Sequence, residues 1–135
     1  MESAALRRRT MQAVKSKDTA PELAVRRLAH GMGYRFRLYH KDLPGKPDLV
    51  FPRLHKALFV HGCFWHGHDC ARGARVPVQN RAYWTQKIAR NRDRDQVAVS
   101  ALAALGWKVV VLWECEVRDL ERAARQIRKF LDRAE

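Results

Sequence analysis

Three cysteines and one histidine constrain the fold of this chain more than any other feature of its sequence. Three of these residues lie together and the fourth lies far along the chain; they are Cys63, His68, Cys70 and Cys115. Thiolate and imidazole groups are the ligands that zinc prefers in closed structural sites. Four protein ligands leave no open position for water, so we expect this site to fasten the loop over residues 62–79 rather than to catalyse a reaction. Two other interpretations are inert buried thiols, or His66 as the ligand in place of His68.

The charge of the chain indicates a polyanionic partner. Its 27 lysines and arginines against 14 aspartates and glutamates give a formal net charge of +13. Nucleic acid is the first candidate, and an anionic membrane surface is less favoured because no lipidation motif accompanies the charge. The alternative is that the excess of arginine only solvates the surface.

Length and apolar content predict one globular domain. The 135 residues leave room for a single core, and a hydrophobic content of 47% is enough to build it. No apolar run approaches the roughly 18 to 20 residues of a membrane span, and Met1 to Lys17 lacks the apolar segment of a signal peptide. We expect a cytoplasmic protein with a basic arm over residues 1–18 and a domain over residues 19–135.

The spacing of apolar residues predicts an α/β fold. A helix over 20–30 begins at a capping box formed by Thr19 and Glu22. Strands are predicted over 34–38, 49–51 and 57–60, followed by the loop over 62–79 and a helix over 81–105 that could break at 91–95.

The last third of the chain completes this pattern. The β-branched run 107–113 predicts a central strand buried on both faces. Asp119 caps a final helix whose expected inner stripe is Leu120, Ala124, Ile127 and Leu131. We therefore expect a single domain with a central mixed β-sheet flanked by helices.

Asp48 and two histidines are candidates for chemistry. Asp48 follows the turn Leu43 to Pro47, and His61 ends the next predicted strand, so pairing of the two strands would bring both residues to one edge of the sheet. Carboxylate oxygens are preferred ligands of Mg²⁺, and histidines such as His61 and His66 suit proton transfer or contact with a phosphate. The alternatives are that Asp48 only caps a turn and that the histidines are structural.

Aromatic residues form a third candidate group. Phe64 and Trp65 lie in the cysteine-containing loop, and Trp84, Lys87 and Asn91 share one face of the predicted helix at i, i+3 and i+7. Rigid aromatic side chains can enter between base pairs of a duplex. The alternative is that these aromatic residues belong to the core.

These motifs together resemble the very-short-patch-repair endonucleases. The resemblance is carried by HGCFWHGHDC from His61 to Cys70, by LPGKPD ending at Asp48, and by WEC ending at Cys115. Members of that family are magnesium-dependent DNA endonucleases of the restriction-enzyme fold, with a structural zinc. They nick one strand beside the thymine of a T:G mismatch, which arises when 5-methylcytosine deaminates.

The resemblance implies a role for each residue of the catalytic site. Asp48 would bind magnesium together with the backbone carbonyl of Val60, a position where the family often has threonine. Valine offers the same carbonyl but no hydroxyl. His66 would be the base that activates water, His61 would lie beside the scissile phosphate, and Glu22 would be a supporting acid.

The resemblance also implies the remaining ligands and contacts. Structural zinc would be bound by Cys63, His68, Cys70 and Cys115. Mismatched DNA would be contacted by Phe64, Trp65, Trp84, Lys87 and Asn91, and by Met11 of the arm from the opposite groove.

The expected substrate is duplex DNA with a T:G mismatch, acted on by a monomer, with downstream repair proteins as further partners. One alternative function is a zinc-stabilised DNA-binding module without catalysis. A weaker alternative is a zinc hydrolase for small molecules, which the aromatic residues and the positive charge disfavour.

Overall fold

A computed structural model of the chain describes residues 19–38, 40, 42–68, 70 and 78–132. The predicted arm over 1–18, including Met11, and residues 71–77 of the predicted loop lie outside the described residues. No helix in the described ranges is long and apolar enough to cross a membrane.

The helices and strands follow an order close to the predicted one. They are α1 (Ala20–Gly31), β1 (Leu49–Phe51), a 3₁₀ helix (Pro52–Leu54), β2 (Lys56–His61), α2 (Arg81–Ala104), β3 (Lys108–Trp113), α3 (Glu114–Val117) and α4 (Leu120–Leu131). The Thr19 hydroxyl accepts a hydrogen bond from the backbone N–H of Glu22 at 3.4 Å, and this contact caps α1. The Asp119 carboxylate caps α4 through the N–H of Arg122 at 3.1 Å. Helix α2 is unbroken, so the break considered at 91–95 does not occur.

The sheet is mixed, and its described strands lie in the order β1-β2-β3. Leu58 of β2 pairs with Leu49 in antiparallel β1 and with Val110 in parallel β3. All six residues of β2 are buried, whereas Leu112 is the only buried residue of β3. The prediction of a central, doubly buried strand over 107–113 is therefore wrong. β-branched residues favour an extended backbone, but they do not specify a position within the sheet.

Helices cover both faces of this sheet. Helices α1, α3 and α4 pack on one face, in a core that includes Leu58 and Ile127. Helix α2 packs on the other face, where Leu102 contacts Phe59. Because side chains alternate along a strand, His61 lies on the same face of β2 as Phe59, towards α2.

The predicted strand over 34–38 does not form. Arg37 makes an isolated antiparallel bridge, in which its N–H donates to the Val50 carbonyl at 2.8 Å and its carbonyl accepts from the Val50 N–H at 3.0 Å. Strand β1 has three residues and so offers few pairing positions. The predicted alternation of side chains is nevertheless correct, because the residues packed against the core are Tyr34, Phe36 and Leu38.

The inner stripe of α4 differs from the predicted one at its first two positions. Leu120 is 54% exposed, Ala124 is partly buried, and the buried residues are Ala123, Ile127 and Leu131. Two sets of inward-facing residues fit the helical period, one through Ala123 and the other through Ala124. Only the packing of the helix selects between them.

Buried Lys56 joins β2 to the end of α4. Its Nζ donates hydrogen bonds to the carbonyls of Phe130 at 2.6 Å and Leu131 at 3.3 Å. Carbonyls in the last turn of a helix have no partner within the helix, and a cation there interacts favourably with the helix dipole. Lys56 thus stabilises the packing of α4 on the sheet.

We predict that Lys56→Met lowers the free energy of unfolding by about 1–3 kcal/mol, because it leaves buried carbonyls without a donor. Urea denaturation measures the change. Lys129→Met, at an exposed position of the same helix, is the control and should change stability by less than about 0.5 kcal/mol. Equal stability of Lys56→Met and the native protein would contradict this role.

Candidate functional site

The three cysteines converge with one histidine at the end of β3. The ligand atoms of Cys63, His68, Cys70 and Cys115 all lie within 4.8 Å of one another, and the cysteines are free thiols. The N–H of Cys115 donates to Cys63 Sγ at 3.4 Å, and Cys115 Sγ lies 3.6 Å from His68 Nδ1. The structure therefore places His68, and not His66, with the thiols. Cys115 lies in the short helix α3, an element that the sequence analysis did not predict.

Three sulfur atoms and one imidazole nitrogen suit a borderline divalent cation such as zinc. Burial raises the pKa of the Cys63 thiol to about 12, and burial also raises the pKa of Cys115. These thiols are protonated in the absence of a cation, so metal binding here must release protons and weaken as the pH falls.

This cysteine cluster fixes the start of the loop after β2. The N–H of Cys63 donates to Glu114 Oε1 at 3.4 Å, and the His68 ring stacks on Trp113 with a centroid distance of 4.2 Å. Between these contacts, the N–H of His68 donates to the carbonyl of Cys63 at 3.0 Å. The loop segment 63–68 is thus held against the end of β3.

The Asp48 side chain lies against the end of β2. Its Oδ2 accepts a hydrogen bond from the N–H of Val60 at 2.6 Å. Burial is the main cause that raises its pKa to about 7; nearby Glu22 raises it further, while the Val60 hydrogen bond and Arg26 lower it. Glu22 is itself buried and forms an ion pair with Arg26 at 3.4 Å. Two acidic groups at one partly buried place suit a hard cation with oxygen ligands.

The two candidate histidines lie against each other. The rings of His61 and His66 are stacked, with a centroid distance of 3.9 Å and an interplanar angle of 3°. His61 is buried, and desolvation together with nearby His66 lowers its pKa to about 4, so it is neutral near pH 7. Val60, whose N–H binds Asp48, directly precedes His61, so these groups share one edge of the sheet.

Asp95 on α2 is a site residue that the sequence analysis missed. Its Oδ2 lies 2.5 Å from His66 Nδ1 and 3.9 Å from His61 Nδ1. A signal was present in the sequence, because Asp95 continues the face of Trp84, Lys87 and Asn91 by one more helical turn. The imidazoles thus contact Asp95 directly, and they are linked to Asp48 through the backbone of Val60.

Three aromatic side chains form a cluster beside this site. Phe64, Trp65 and Trp84 meet edge to face with centroid distances of 5.1 to 5.7 Å, and all three are partly exposed. Lys87 Nζ lies 5.6 Å from the centroid of the Trp65 ring, and Asn91 Nδ2 donates to the Trp65 carbonyl at 2.8 Å. Lys87 and Asn91, on the helix face predicted from spacing, therefore contact Trp65 of the loop and support it at the surface.

We predict that Asp48→Asn stabilises the protein in the absence of Mg²⁺ and that the gain grows with pH. The folded state raises the Asp48 pKa from 3.8 to about 7, so the contribution of this group to stability is greatest below pH 4 and is lost as the pH rises through 7. The amide stays neutral and can still accept from Val60. The gain at pH 8 should be about 2–4 kcal/mol.

Urea denaturation between pH 4.5 and 8 measures this effect. Asp42→Asn, which removes an exposed carboxylate in the preceding turn, controls for the change in net charge. An Asp48→Asn protein that is no more stable than the native protein at pH 8 would show that the carboxylate is not held in a desolvated place.

Comparison with known proteins identifies the family of the chain. A family model described as DNA mismatch endonuclease Vsr matches residues 2–72. The type II nicking enzyme V.XorIIP of Xanthomonas oryzae is 56% identical over 126 residues, which cover 93% of this chain and 92% of the relative. The type II nicking enzyme V.NmeAIP of Neisseria meningitidis is 39% identical over 126 residues, which cover 90% of this chain and 89% of the relative.

A mismatch enzyme is also among the relatives. DNA mismatch endonuclease Vsr of Escherichia coli is 40% identical over 118 residues, which cover 87% of this chain and 75% of the relative. The mixed sheet with flanking helices agrees with the restriction-endonuclease-like fold that the resemblance implies. The chain belongs to the Vsr family of DNA mismatch endonucleases.

Proposed function

We propose that this DNA endonuclease nicks one strand of duplex DNA beside the thymine of a T:G mismatch, in a reaction that requires magnesium. The observation that carries the proposal is the meeting of His61, His66 and Asp95 at the same sheet edge as the partly buried Asp48 carboxylate. Relatives named as nicking enzymes and as a mismatch endonuclease support strand-specific cleavage and a mismatched substrate.

Two metals fit the residues present. Zinc would be bound by the cysteine cluster, whose donor set is closed and soft. Magnesium would be bound by Asp48 and the carbonyl of Val60, with Glu22 as a supporting acid. When bound there, magnesium supplies Lewis acidity and positive charge beside the scissile phosphate.

The protein groups supply proton transfer. The contact of His66 Nδ1 with Asp95 at 2.5 Å suits an Nδ1–H that donates to the carboxylate, which leaves Nε2 as a proton acceptor. We assign to His66 the role of the base that takes a proton from the attacking water, and to Asp95 that of holding its ring. Neutral His61, stacked on His66, would lie beside the scissile phosphate.

Specificity would come from the ease of opening a mismatched step. A T:G wobble pair stacks poorly, so insertion of the aromatic cluster costs less there than at a matched step. Lys87 and Asn91 would lie near the mismatched bases, and Met11 of the arm over residues 1–18 would approach from the opposite groove. The net charge of +13 adds attraction to phosphates that depends on salt but not on sequence.

We propose that the enzyme acts as a monomer in the bacterial cytoplasm, where its DNA substrate lies, and that its nick is passed to downstream repair proteins. One domain contains every residue to which a catalytic role is assigned, so the proposed chemistry does not require a second subunit.

The proposed reaction predicts strand-specific nicking of a T:G duplex that depends on both Mg²⁺ and Asp48. The nicking rate of each strand is measured on duplexes labelled on one strand or the other. These duplexes contain T:G or T:A in varied flanking sequences, and each is assayed with Mg²⁺ and with EDTA. Asp48→Ala should lose at least about 100-fold in rate, because several kcal/mol of charge stabilisation depends on the metal. Asp42→Asn, at an exposed carboxylate, should retain activity.

The same assay distinguishes the alternative function. Tight binding of T:G duplexes without cleavage under any of these conditions would favour the zinc-stabilised DNA-binding module. Equal cleavage by Asp48→Ala and the native protein would remove the catalytic assignment of Asp48.

The aromatic cluster predicts a separate effect on discrimination. Trp65→Ala should reduce the ratio of kcat/KM for T:G over matched duplex by about 10- to 100-fold, since contact of one aromatic residue with a base contributes about 1–3 kcal/mol. Val97→Ala, at an exposed position of α2, is the control and should leave the ratio unchanged. An unchanged ratio for Trp65→Ala would exclude the wedge role of this residue.

A further inference from the structure

We propose that His61, His66 and Asp95 form a second metal site, which takes a borderline divalent cation such as Zn²⁺, Co²⁺ or Ni²⁺ and inhibits the nuclease when occupied. This histidine–aspartate site is distinct from the cysteine cluster and from the Asp48 position. Inhibition rests on the proposed function, whereas metal binding does not.

The three side chains already have their ligand atoms close together. One nitrogen of each histidine and one oxygen of Asp95 all lie within 4.8 Å of one another. Asp95 Oδ2 faces both Nδ1 atoms, at 2.5 Å from His66 and 3.9 Å from His61. A cation between these atoms would contact all three side chains and replace the hydrogen bond between His66 and Asp95.

His61 provides an independent indication of a missing ligand. Its side chain is 7% exposed, and its buried Nδ1 has no hydrogen-bond partner among the residues that the structure describes. A buried polar atom without a partner costs about 1–3 kcal/mol. This Nδ1 atom faces Asp95 and lies beside the His66 ring, so a cation at this place would give it a bonding partner.

The donor set determines which cations bind. Two imidazole nitrogens and one carboxylate suit Zn²⁺, Co²⁺ or Ni²⁺, whereas Mg²⁺ prefers oxygen ligands and retains water. The affinity of such a site rises from Co²⁺ to Ni²⁺ along the divalent series. The histidine–aspartate site and the Asp48 position should therefore select different cations at the same sheet edge.

Binding here would inhibit through the proton on His66. A cation on Nδ1 takes the place of the proton that this nitrogen donates to Asp95, and the single proton of the neutral ring then moves to Nε2. A ring protonated on Nε2 cannot accept a proton from water, so the base proposed for the reaction is lost. Because Mg²⁺ competes poorly for imidazole, added Mg²⁺ should not restore activity.

Titration with Co²⁺ of protein that holds one zinc per chain, in the cysteine cluster, tests the binding. We expect one further Co²⁺ per chain, with weak visible absorption but without the thiolate charge-transfer bands that replacement of zinc in the cysteine cluster would give. Asp95→Asn should weaken this second binding at least about tenfold. Asp93→Asn, at an exposed position of the same helix, is the matched control and should bind Co²⁺ like the native protein.

Several results would overturn the proposal. These are the absence of Co²⁺ binding in addition to the zinc, thiolate charge-transfer bands as the only signal, or a Co²⁺ affinity that Asp95→Asn does not change. Circular dichroism and the content of tightly bound zinc verify that the variant is folded. His66→Gln, which alters a more exposed ligand, should weaken Co²⁺ binding in the same way, and normal binding by it would also overturn the site.

A nicking assay at fixed Mg²⁺ tests the inhibition. We expect micromolar Zn²⁺ to abolish nicking, a chelator selective for Zn²⁺ to restore it, and tenfold more Mg²⁺ to leave it abolished. Recovery with Mg²⁺ would overturn the inhibitory role. A protein that binds Co²⁺ at the histidine–aspartate site but never nicks DNA would instead contradict the proposed function, so the two failures are distinguishable.

Discussion

The fastening of loop segment 63–68 to the end of β3 is the constraint on which the site depends. This segment carries both His66 and the aromatic residues Phe64 and Trp65, yet it has no regular secondary structure. Contacts of Cys63 with Cys115 and of His68 with Trp113 hold it from one side, and contacts of His66 and Trp65 with α2 hold it from the other. A divalent cation in the cysteine cluster would make the first of these attachments much stronger, because metal-binding free energy becomes folding free energy.

Two groups in the site, Asp48 and His61, lower the stability of the fold, and a role in binding explains their placement. Asp48 is desolvated beside a second acid, and buried His61 has a ring nitrogen without a partner in the described part of the chain. Neither arrangement favours folding, and both are typical of groups poised to bind a cation or a phosphate. Stability comes from elsewhere, from apolar packing on both faces of β2 and from Lys56 at the end of α4.

Local sequence patterns predicted most helices and strands correctly. They failed where the structure of a segment depends on the other elements that it pairs with or packs against. Thr19 and Asp119 cap their helices because a capping contact spans only three residues of sequence. The strand over 34–38 failed because pairing needs a partner of sufficient length, and β1 has three residues. The run 107–113 was placed at the centre of the sheet because its composition cannot tell one strand position from another. Asp95 was missed because its role requires the packing of α2 against the loop after β2.

By itself the sequence determined the type of chemistry available, because ligand identity and spacing are local. It contains three thiols with His68, one acid before β1, one imidazole at the end of β2 and another in the following loop, and an aromatic face on α2. Tertiary structure alone decided that His68 and not His66 joins the thiols, that β2 is the central strand, and that Asp95 meets both imidazoles. The physical reason is that each of these outcomes depends on distances between groups far apart in the chain, which are fixed only when both faces of the sheet are covered.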